Sequence, residues 1–461
     1  MTTHTITKGC DLRLAGAPEA KLHEAPEPKQ VAVETAEFPG IKPKALVKEG
    51  DLVKTGQPIF LDKLDRDLVW CAPCTGRVSK VDFGERRFLL RVVIDNAPAS
   101  GGKEEFAELP RPTGAREALV KAIKGAGLWP LIRQRPVGKI VRSAAAPAAI
   151  FVNGMDTAPL AGDPAFAMQG RKADLQAGVE LLQKLVASGG KVYLSLRAAG
   201  DHQSELRDLK GVEVHDFRGP HPAGLVGTQI SRIRPLKTGE IAYTLRLQDL
   251  ARLGEWARTG RYPAKIVVSV GGSAAPVRGY CRVRQSGHVS ALSGAGAAGA
   301  RPISGDVRVI DGNVLQGRAI GGDGCLGYHS ASVAMIPEGT EQGAEKRDLF
   351  GWAMPAFGKL SLSRSVFSWL MPRKEYVVDA RLNGGHRPIV NIGAWERVTA
   401  LDIHPSYLVR AIQANDIEEA VKLGLLEVTE EDVALCTFVD PCKIDVGKIV
   451  RQGLDLYERE G

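Results

Sequence analysis

The stretch Gly219-Pro-His-Pro-Ala-Gly-Leu-Val-Gly-Thr-Gln-Ile230 sets three glycines, two prolines and the titratable His221 into one short segment. Gly and Pro hold the backbone in conformations that other residues resist, and open α/β sheets place ligands at strand ends of this kind. The pattern is neither G-x-G-x-x-G nor G-x-x-x-x-G-K-[ST], so it supports neither dinucleotide nor triphosphate binding. It reads as a rigid connector or as a ligand loop, and His221 has no carboxylate beside it in sequence to orient the ring. The seven cysteines give a second possible chemistry. Cys71-Ala-Pro-Cys74 is the single C-x-x-C; a zinc site would need a second such pair, and a thioredoxin-like motif would need a βαβ setting. Cys436 and Cys442 stand alone where ferredoxin-type iron–sulfur ligation wants closely repeated cysteines. An odd number of cysteines in a long chain argues for a reducing compartment and for small buried thiols.

The elements that position these residues follow from pattern. Ahead of the Gly/Pro stretch, residues 151–153 read as a buried strand. Leu175, Val179, Leu182 and Val186 recur at helical spacing, Gly189-Gly190 ends that helix, and residues 191–196 read as the next strand. Leu250, Leu253 and Ala257 mark a further helix, and residues 265–270 a strand expected to complete the same open sheet. Upstream, residues 42–94 are short alternating strands with turns at Lys48-Glu-Gly-Asp51, Lys54-Thr-Gly-Gln57 and Cys74-Thr-Gly-Arg77, which predicts a small β-barrel or sandwich. Residues 96–112 are a connector and residues 116–124 a short helix. Residues 278–336 are β segments among many glycines, and the last sixty or so residues are helical, with Thr429-Glu-Glu-Asp432 as a capped start. The apolar cluster of Val366, Phe367, Trp369, Leu370 and Met371 is expected to be core or a partner-facing patch.

The predicted architecture is a mixed α/β, multidomain chain. It comprises a biotinyl/lipoyl-like β domain with an N-terminal extension (1–100), a Rossmann-like α/β domain (101–275), a β-rich, β-grasp-like module (276–345), and a connector with a C-terminal helical domain (346–461). A chain of 461 residues suits about three domains at ~150 residues each. Its 44% hydrophobic content and mean hydropathy of −0.10 allow ordinary cores. No apolar run approaches the ~20 residues of a membrane-spanning helix, so this chain is not expected to conduct an ion through a bilayer. The N-terminus lacks the apolar core of a signal peptide, which points to the cytoplasm. The net charge of +8 and isoelectric point near 9.0 come from dispersed Lys and Arg with only 6% aromatics. That fits an acidic partner or acidic lipid headgroups better than nucleic acid.

The phrase Glu49-Gly-Asp-Leu-Val-Lys-Thr-Gly-Gln57, with Thr75-Gly76-Arg77-Val78, resembles the biotinyl/lipoyl carrier fold. In carriers the modified lysine stands on a tight hairpin. Lys63 lies there, within Leu61-Asp-Lys-Leu-Asp-Arg-Asp67 and without Met-Lys-Met, and a fold does not fix a function.

Several stretches, in order and over nearly the whole length, resemble the A subunit of the Na+-translocating NADH:quinone reductases. They are Ile6-Thr-Lys-Gly9 with Asp11-Leu12, Gly50-Asp51 with Gly56-Gln57, Pro220-His-Pro-Ala-Gly-Leu225 with Gly227-Thr228, Leu349-Phe-Gly-Trp352 with Met354-Pro355, Gly384-Gly385, Glu396-Arg-Val398, Leu401-Asp-Ile403 and Leu435-Cys436-Thr437. The resemblance implies a peripheral subunit on the cytoplasmic face of a bacterial inner membrane. It would have no redox cofactor of its own and would dock on partner subunits that hold flavins, iron and the Na+ path. It also implies a part in quinone binding. This subunit is also similar to the C subunit of Rnf complexes and, more distantly, to the flavin-binding subunit of complex I, which makes a flavin- and iron–sulfur-binding subunit the alternative, while a carrier modified at Lys63 is a third. Where those flavin-binding relatives have a glycine-rich loop, this chain has Leu128-Trp-Pro-Leu-Ile-Arg-Gln-Arg135, whose side chains keep backbone amides from a phosphate. Near the C-terminus the family's Val-Cys-Pro is replaced by Val439-Asp-Pro-Cys442. A quinone needs an apolar slot and one or two donors for its carbonyl oxygens. Trp129, Arg133, Arg135 and Lys139 supply that mixture in one stretch, Phe38 with Pro39 could add a wall, and His221 is a further candidate. The alternative for Arg133 and Arg135 is a solvated surface. No metal site and no catalytic residue are expected in the chain itself.

Overall fold

A computed structural model describes residues 2–97, 104–142, 145–293, 303, 306–322, 324–339, 375–381, 386–390 and 392–460. The cluster from Val366 to Met371 and the motifs at 349–355 and 384–385 lie outside the described residues.

In the N-terminal part, strands Gln30–Glu34, Leu52–Val53, Gly76–Phe83 and Leu89–Asp95 form a four-stranded sheet, and Pro43–Ala45, Pro58–Asp62 and Asp65–Cys71 a three-stranded one. The two share a core in which Val33, Ile59, Phe60, Trp70, Val78, Val92 and Ile94 are all buried. The sandwich form is therefore realised by two sheets. Gly50 and Gly56 take positive φ (92° and 88°) at the two expected turns. Lys63 is exposed in the turn between Pro58–Asp62 and Asp65–Cys71. Next to it, the fully buried Asp62 accepts hydrogen bonds from the amides of Lys42 (2.9 Å) and Leu64 (3.0 Å) and pairs with Arg142 (2.8 Å). Cys71 and Cys74 are buried in this core, and burial pushes the Cys74 thiol up to about 12, so both behave as small apolar side chains.

The α/β part is a seven-stranded sheet in the order Thr2–Thr5, Glu213–Arg218, Lys191–Arg197, Ala149–Asn153, Ala242–Arg246, Arg133–Arg135, Lys139–Ile140. The first five run parallel and the last two antiparallel to their neighbours. Ile150, Val152 and Leu194 on one face meet the helices Lys172–Leu185 and Leu247–Thr259, which approach closely at Gly178 and Gly254. Phe151, Tyr193 and Ala242 on the other face meet Val226, Ile230 and Ile233 of the helix Val226–Ile233.

Two expectations fail in this part of the chain. The Gly/Pro stretch is a loop only as far as Leu225, since Val226, Ile230 and Ile233 have helical spacing and wind the remainder into a turn of helix that covers the sheet. The strand Lys265–Gly271 does not complete the α/β sheet. After Gly260 caps the preceding helix in the left-handed conformation, the chain passes into a six-stranded sheet, where Lys265–Gly271 pairs with Gly279–Arg284 and Ser332–Pro337. The place beside Ala149–Asn153 goes to Ala242–Arg246, a strand that periodicity alone did not reveal. The six-stranded sheet, completed by Val307–Asp311, Arg318–Ala319 and Leu22–Glu24, buries Val268, Val270, Cys281, Val309, Val333 and Met335.

At the C-terminus the helices Ala394–Val398, Pro405–Gln413, Ile417–Lys422, Ala434–Val439 and Val446–Glu460 surround Leu408, Val409, Ile412, Ala420, Val450 and Leu454. Thr429 and Asp432 form the expected capping box, on a 3-10 turn over Glu430–Val433. Cys436 and Cys442 are buried.

Candidate functional site

In the seven-stranded sheet the chain leaves Ala149–Asn153 on one side toward Lys191–Arg197, while Ala242–Arg246 joins on the other side. Between the carboxyl ends of those two central strands, at the register pair Asn153 and Arg246, strand order reverses, and crevices at such points are where open sheets take ligands. Because Arg133–Arg135 runs antiparallel, its first residue lies at this same end, opposite Thr244. Arg133 therefore stands beside Arg246.

Segments distant in sequence converge at this end of the sheet. The Arg246 guanidinium is held by Asp249 (Nε to Oδ2, 2.9 Å; Nη2 to Oδ1, 3.3 Å) and donates through Nη1 to the carbonyl of His329. The His329 ring lies edge-on to Phe38, with centroids 5.8 Å apart, and Phe38 also meets Tyr328 at 5.2 Å. Arg252 crosses the Tyr328 ring at 5.6 Å. Among the described residues neither the Arg133 guanidinium nor the His329 ring nitrogens have a hydrogen-bond or ion-pair partner. Arg133 is exposed, although the mass of protein around it weighs against its charge. Burial, opposed by Glu431 and assisted by Arg246, holds Arg133 below the usual arginine range. Burial and then the charges of Arg133, Arg246 and Arg252 hold His329 well below the usual histidine range, so its ring is neutral. At Arg246 burial is overcome by Asp249, which raises it.

The predicted residues divide. Phe38 is buried in the core, with its ring against Trp70, Tyr328 and His329, while Arg133 is exposed beside Arg246. Trp129 does not reach this crevice: the ring is buried, its Nε1 donates to the Val141 carbonyl at 3.0 Å, and it stands edge-on to Tyr243. Leu128, Leu131 and Ile132 around it are buried too, so this stretch packs as core. Arg135 is neither surface nor free, since it donates to Asp432 (3.1 Å) and Glu431 (3.3 Å) at the junction with the C-terminal helices. Lys139 pairs with Asp455 (2.7 Å) and Glu458 on the last helix. Alternation along the strand explains part of this: Gln134 faces the opposite way from Arg133 and Arg135, and the two arginines differ in depth.

His221 lies elsewhere, fully buried. Its backbone amide donates to Asp11 Oδ1 at 2.9 Å, its Nδ1 is 3.1 Å from the Thr157 hydroxyl, and burial lowers its pKa to about 4. The ring is thus held by the Thr157 hydroxyl, and Asp11, from far along the chain, holds only the backbone amide. Asp11 and Thr157 also line a separate open cavity of about 440 Å³ with Arg13, Leu160 and Glu375.

Sequence reasoning missed Arg246 and His329. Arg246 had a signal, a charged residue where a short apolar strand meets the helix beginning at Leu247, but the strand itself went unread. His329 follows a glycine-rich segment with no periodicity and had none. Glu37, also missed, has one carboxylate oxygen accepting from the Tyr328 amide (2.8 Å) and the other without a partner; burial and then nearby Asp311 raise it to about 7.

The donor set does not suit a metal, because among the described residues no three His, Cys, Asp or Glu side chains converge as ligands. No described helix is long and apolar enough to cross a membrane.

Residues 4–97 match the family described as the NqrA N-terminal barrel-sandwich hybrid domain, and residues 114–262 match the NqrA second alpha/beta domain. The chain is 38% identical to a protein of Histophilus somni strain 2336 named as the A subunit of Na(+)-translocating NADH-quinone reductase, over 99% of this chain and 100% of that protein. It is 38% identical to the protein of the same name from Actinobacillus succinogenes, with the same coverage, and 36% identical to that from Neisseria meningitidis serogroup B, over 99% of each. With the match running nearly end to end, the chain belongs to the family of A subunits of the Na(+)-translocating NADH-quinone reductases.

Proposed function

We propose that this chain is a peripheral subunit of a Na+-translocating NADH:quinone reductase and supplies a crevice for the quinone head group. In that complex NADH oxidation and quinone reduction drive Na+ export, with flavins and iron centres in partner subunits on or in the bacterial inner membrane. Family membership over nearly the full length supports the assignment to the complex. The observation that carries the quinone reading is the unpartnered Arg133 near the neutral His329, whose ring packs on the buried Phe38, at the sheet's switch point. A guanidinium without a carboxylate partner can donate to one carbonyl oxygen of a quinone and a neutral imidazole to the second. The reading that the chain has no redox cofactor of its own is supported by residues 128–132, where packed side chains take the place of bare backbone.

Photo-crosslinking an azidoquinone to the assembled complex and mapping the labelled peptides tests this. Label on segments containing Phe38, Arg133, Arg246 or His329 is expected. Label confined to other subunits refutes the site.

A further inference from the structure

We infer that the tip of the hairpin between Gly76–Phe83 and Leu89–Asp95 touches the membrane surface directly, seating Phe83, Phe88 and Leu90 in the interfacial layer and setting Arg86 and Arg87 on the phosphates of anionic lipid. This rests on the placement of the chain in a membrane-bound complex and makes no use of the quinone crevice. The turn breaks two local rules at once. Phe83, Phe88 and Leu90 are 50%, 43% and 46% exposed, while Leu89 is buried beneath them. Leu90 lies over Gly84, where an added Cβ would meet it at 3.1 Å, so it stands at the Phe83 end of the turn. Arg86 and Arg87 are the central pair of the turn that the Phe88 amide closes on the Glu85 carbonyl (3.1 Å), and both hold positive φ, 53° and 56°. Asn-Gly takes that type I′ conformation with little strain, whereas arginine resists it. Both features destabilise the chain by itself, and nothing within it offsets them: among the described residues neither guanidinium has a hydrogen-bond or ion-pair partner. The root of the hairpin is fixed, since the buried Thr35 hydroxyl donates to the Leu89 carbonyl at 2.6 Å. Lower on the hairpin Lys80 and Arg91 share Asp82 (2.7 and 2.6 Å), and the Glu49 carboxylate accepts from the Val81 amide, so the base is neutral overall. At the tip Arg86 and Arg87 stand against one acid, Glu85, and the surplus there is positive. Three half-exposed apolar side chains offer on the order of 300 Å², well under the ~800 Å² per partner of a stable protein interface. A bilayer surface accepts so small a tip, because apolar groups enter the acyl boundary while guanidiniums meet the phosphates.

The test sediments the full-length chain with vesicles of phosphatidylethanolamine and phosphatidylglycerol, and with vesicles of phosphatidylcholine alone. Binding to the anionic vesicles is expected, and weaker binding to the neutral ones. Arg86→Asn with Arg87→Gly should weaken anionic binding by about tenfold or more, the scale of two cations near a charged surface, while melting no lower than the parent because the turn is relaxed. Phe83→Ser with Phe88→Ser should weaken it about tenfold through lost apolar contact, and should melt with the parent because both rings are half exposed. Lys44→Asn with Lys63→Asn removes as much charge from exposed positions on the three-stranded sheet and its turn, and should change binding by less than about twofold. An equal loss from the lysine pair would mean that net charge alone binds, and overturns the inference. So does a parent chain that ignores anionic vesicles, or a tip variant that binds them as the parent does. Tip variants that bind vesicles normally but no longer assemble with the partner subunits would identify a protein contact and overturn it too. Copurification with the membrane subunits and azidoquinone labelling test the placement in the complex and the quinone site separately.

Discussion

The ion pair of Arg135 with Asp432 should be a principal fastening between the α/β sheet and the C-terminal helices. Both side chains are almost fully buried, at 4% and 1% exposure, and the contact is 3.1 Å. The same Asp432 oxygen accepts from the Thr429 amide (2.9 Å) and hydroxyl (3.0 Å), while its other oxygen lies where any side chain at Gly227 would fall, 2.3 Å from a Cβ there. At an effective dielectric of ~20 the gross attraction is about 5 kcal/mol, and removing one partner of a buried pair costs about 3–5 kcal/mol because the other charge is stranded. Asp432→Asn keeps the shape and one acceptor for Thr429, so about 3 kcal/mol is expected, lowering Tm by about 6–12 °C for a cooperative unit of ~150–250 residues. Scanning calorimetry reads the shift, and limited proteolysis of residues 392–460 reports whether the helices have come loose. The double variant Arg135→Met with Asp432→Leu should recover most of the loss, since no buried charge is left unmatched. Additive costs in the double variant, or a change of less than about 1 kcal/mol in Asp432→Asn, would refute the reasoning. A loss of quinone labelling in Arg135→Gln without a change in melting would show instead that Arg135 serves the ligand.

Glu37 predicts a pH dependence of stability. Its folded pKa of about 7 stands above the ordinary 4.5, so its contribution is complete below about 4.5 and is lost as pH rises through about 7. That amounts to about 3 kcal/mol in order of magnitude. Glu37→Gln should melt higher than the parent at alkaline pH and near it in acid, and coincident alkaline melting curves would contradict this. Gly254→Ala should be strongly destabilising, by about 1–3 kcal/mol or more, because overpacking forces elements apart. The added Cβ would fall 1.7 Å from the Asp174 carbonyl and 2.7 Å from the Gly178 amide, where the two helices cross. An unchanged melting temperature would mean that the helices can separate freely.

Local pattern alone made the helices around Leu175 and Leu250 legible, along with the N-terminal turns at Gly50 and Gly56 and the Thr429 cap, because each is written in residues a few positions apart. Family kinship was legible too, from motifs spread along the chain. Partner choice was not. Lys265–Gly271 is as apolar as any strand of the α/β sheet, and only the pairing available after Gly260 sends it to the other sheet. Arg133 and Arg135 share one strand face and one chemistry; whether each is free or tied depends on Asp432, almost three hundred residues away, reaching one and not the other. His329 becomes a candidate solely because folding brings it against Phe38 and Arg246. The sequence by itself determined the local elements and the residue types available for chemistry, since those depend on short-range propensity and periodicity. The tertiary structure decided which charges find partners and which remain free, because desolvation and pairing depend on what the rest of the chain places within a few ångströms.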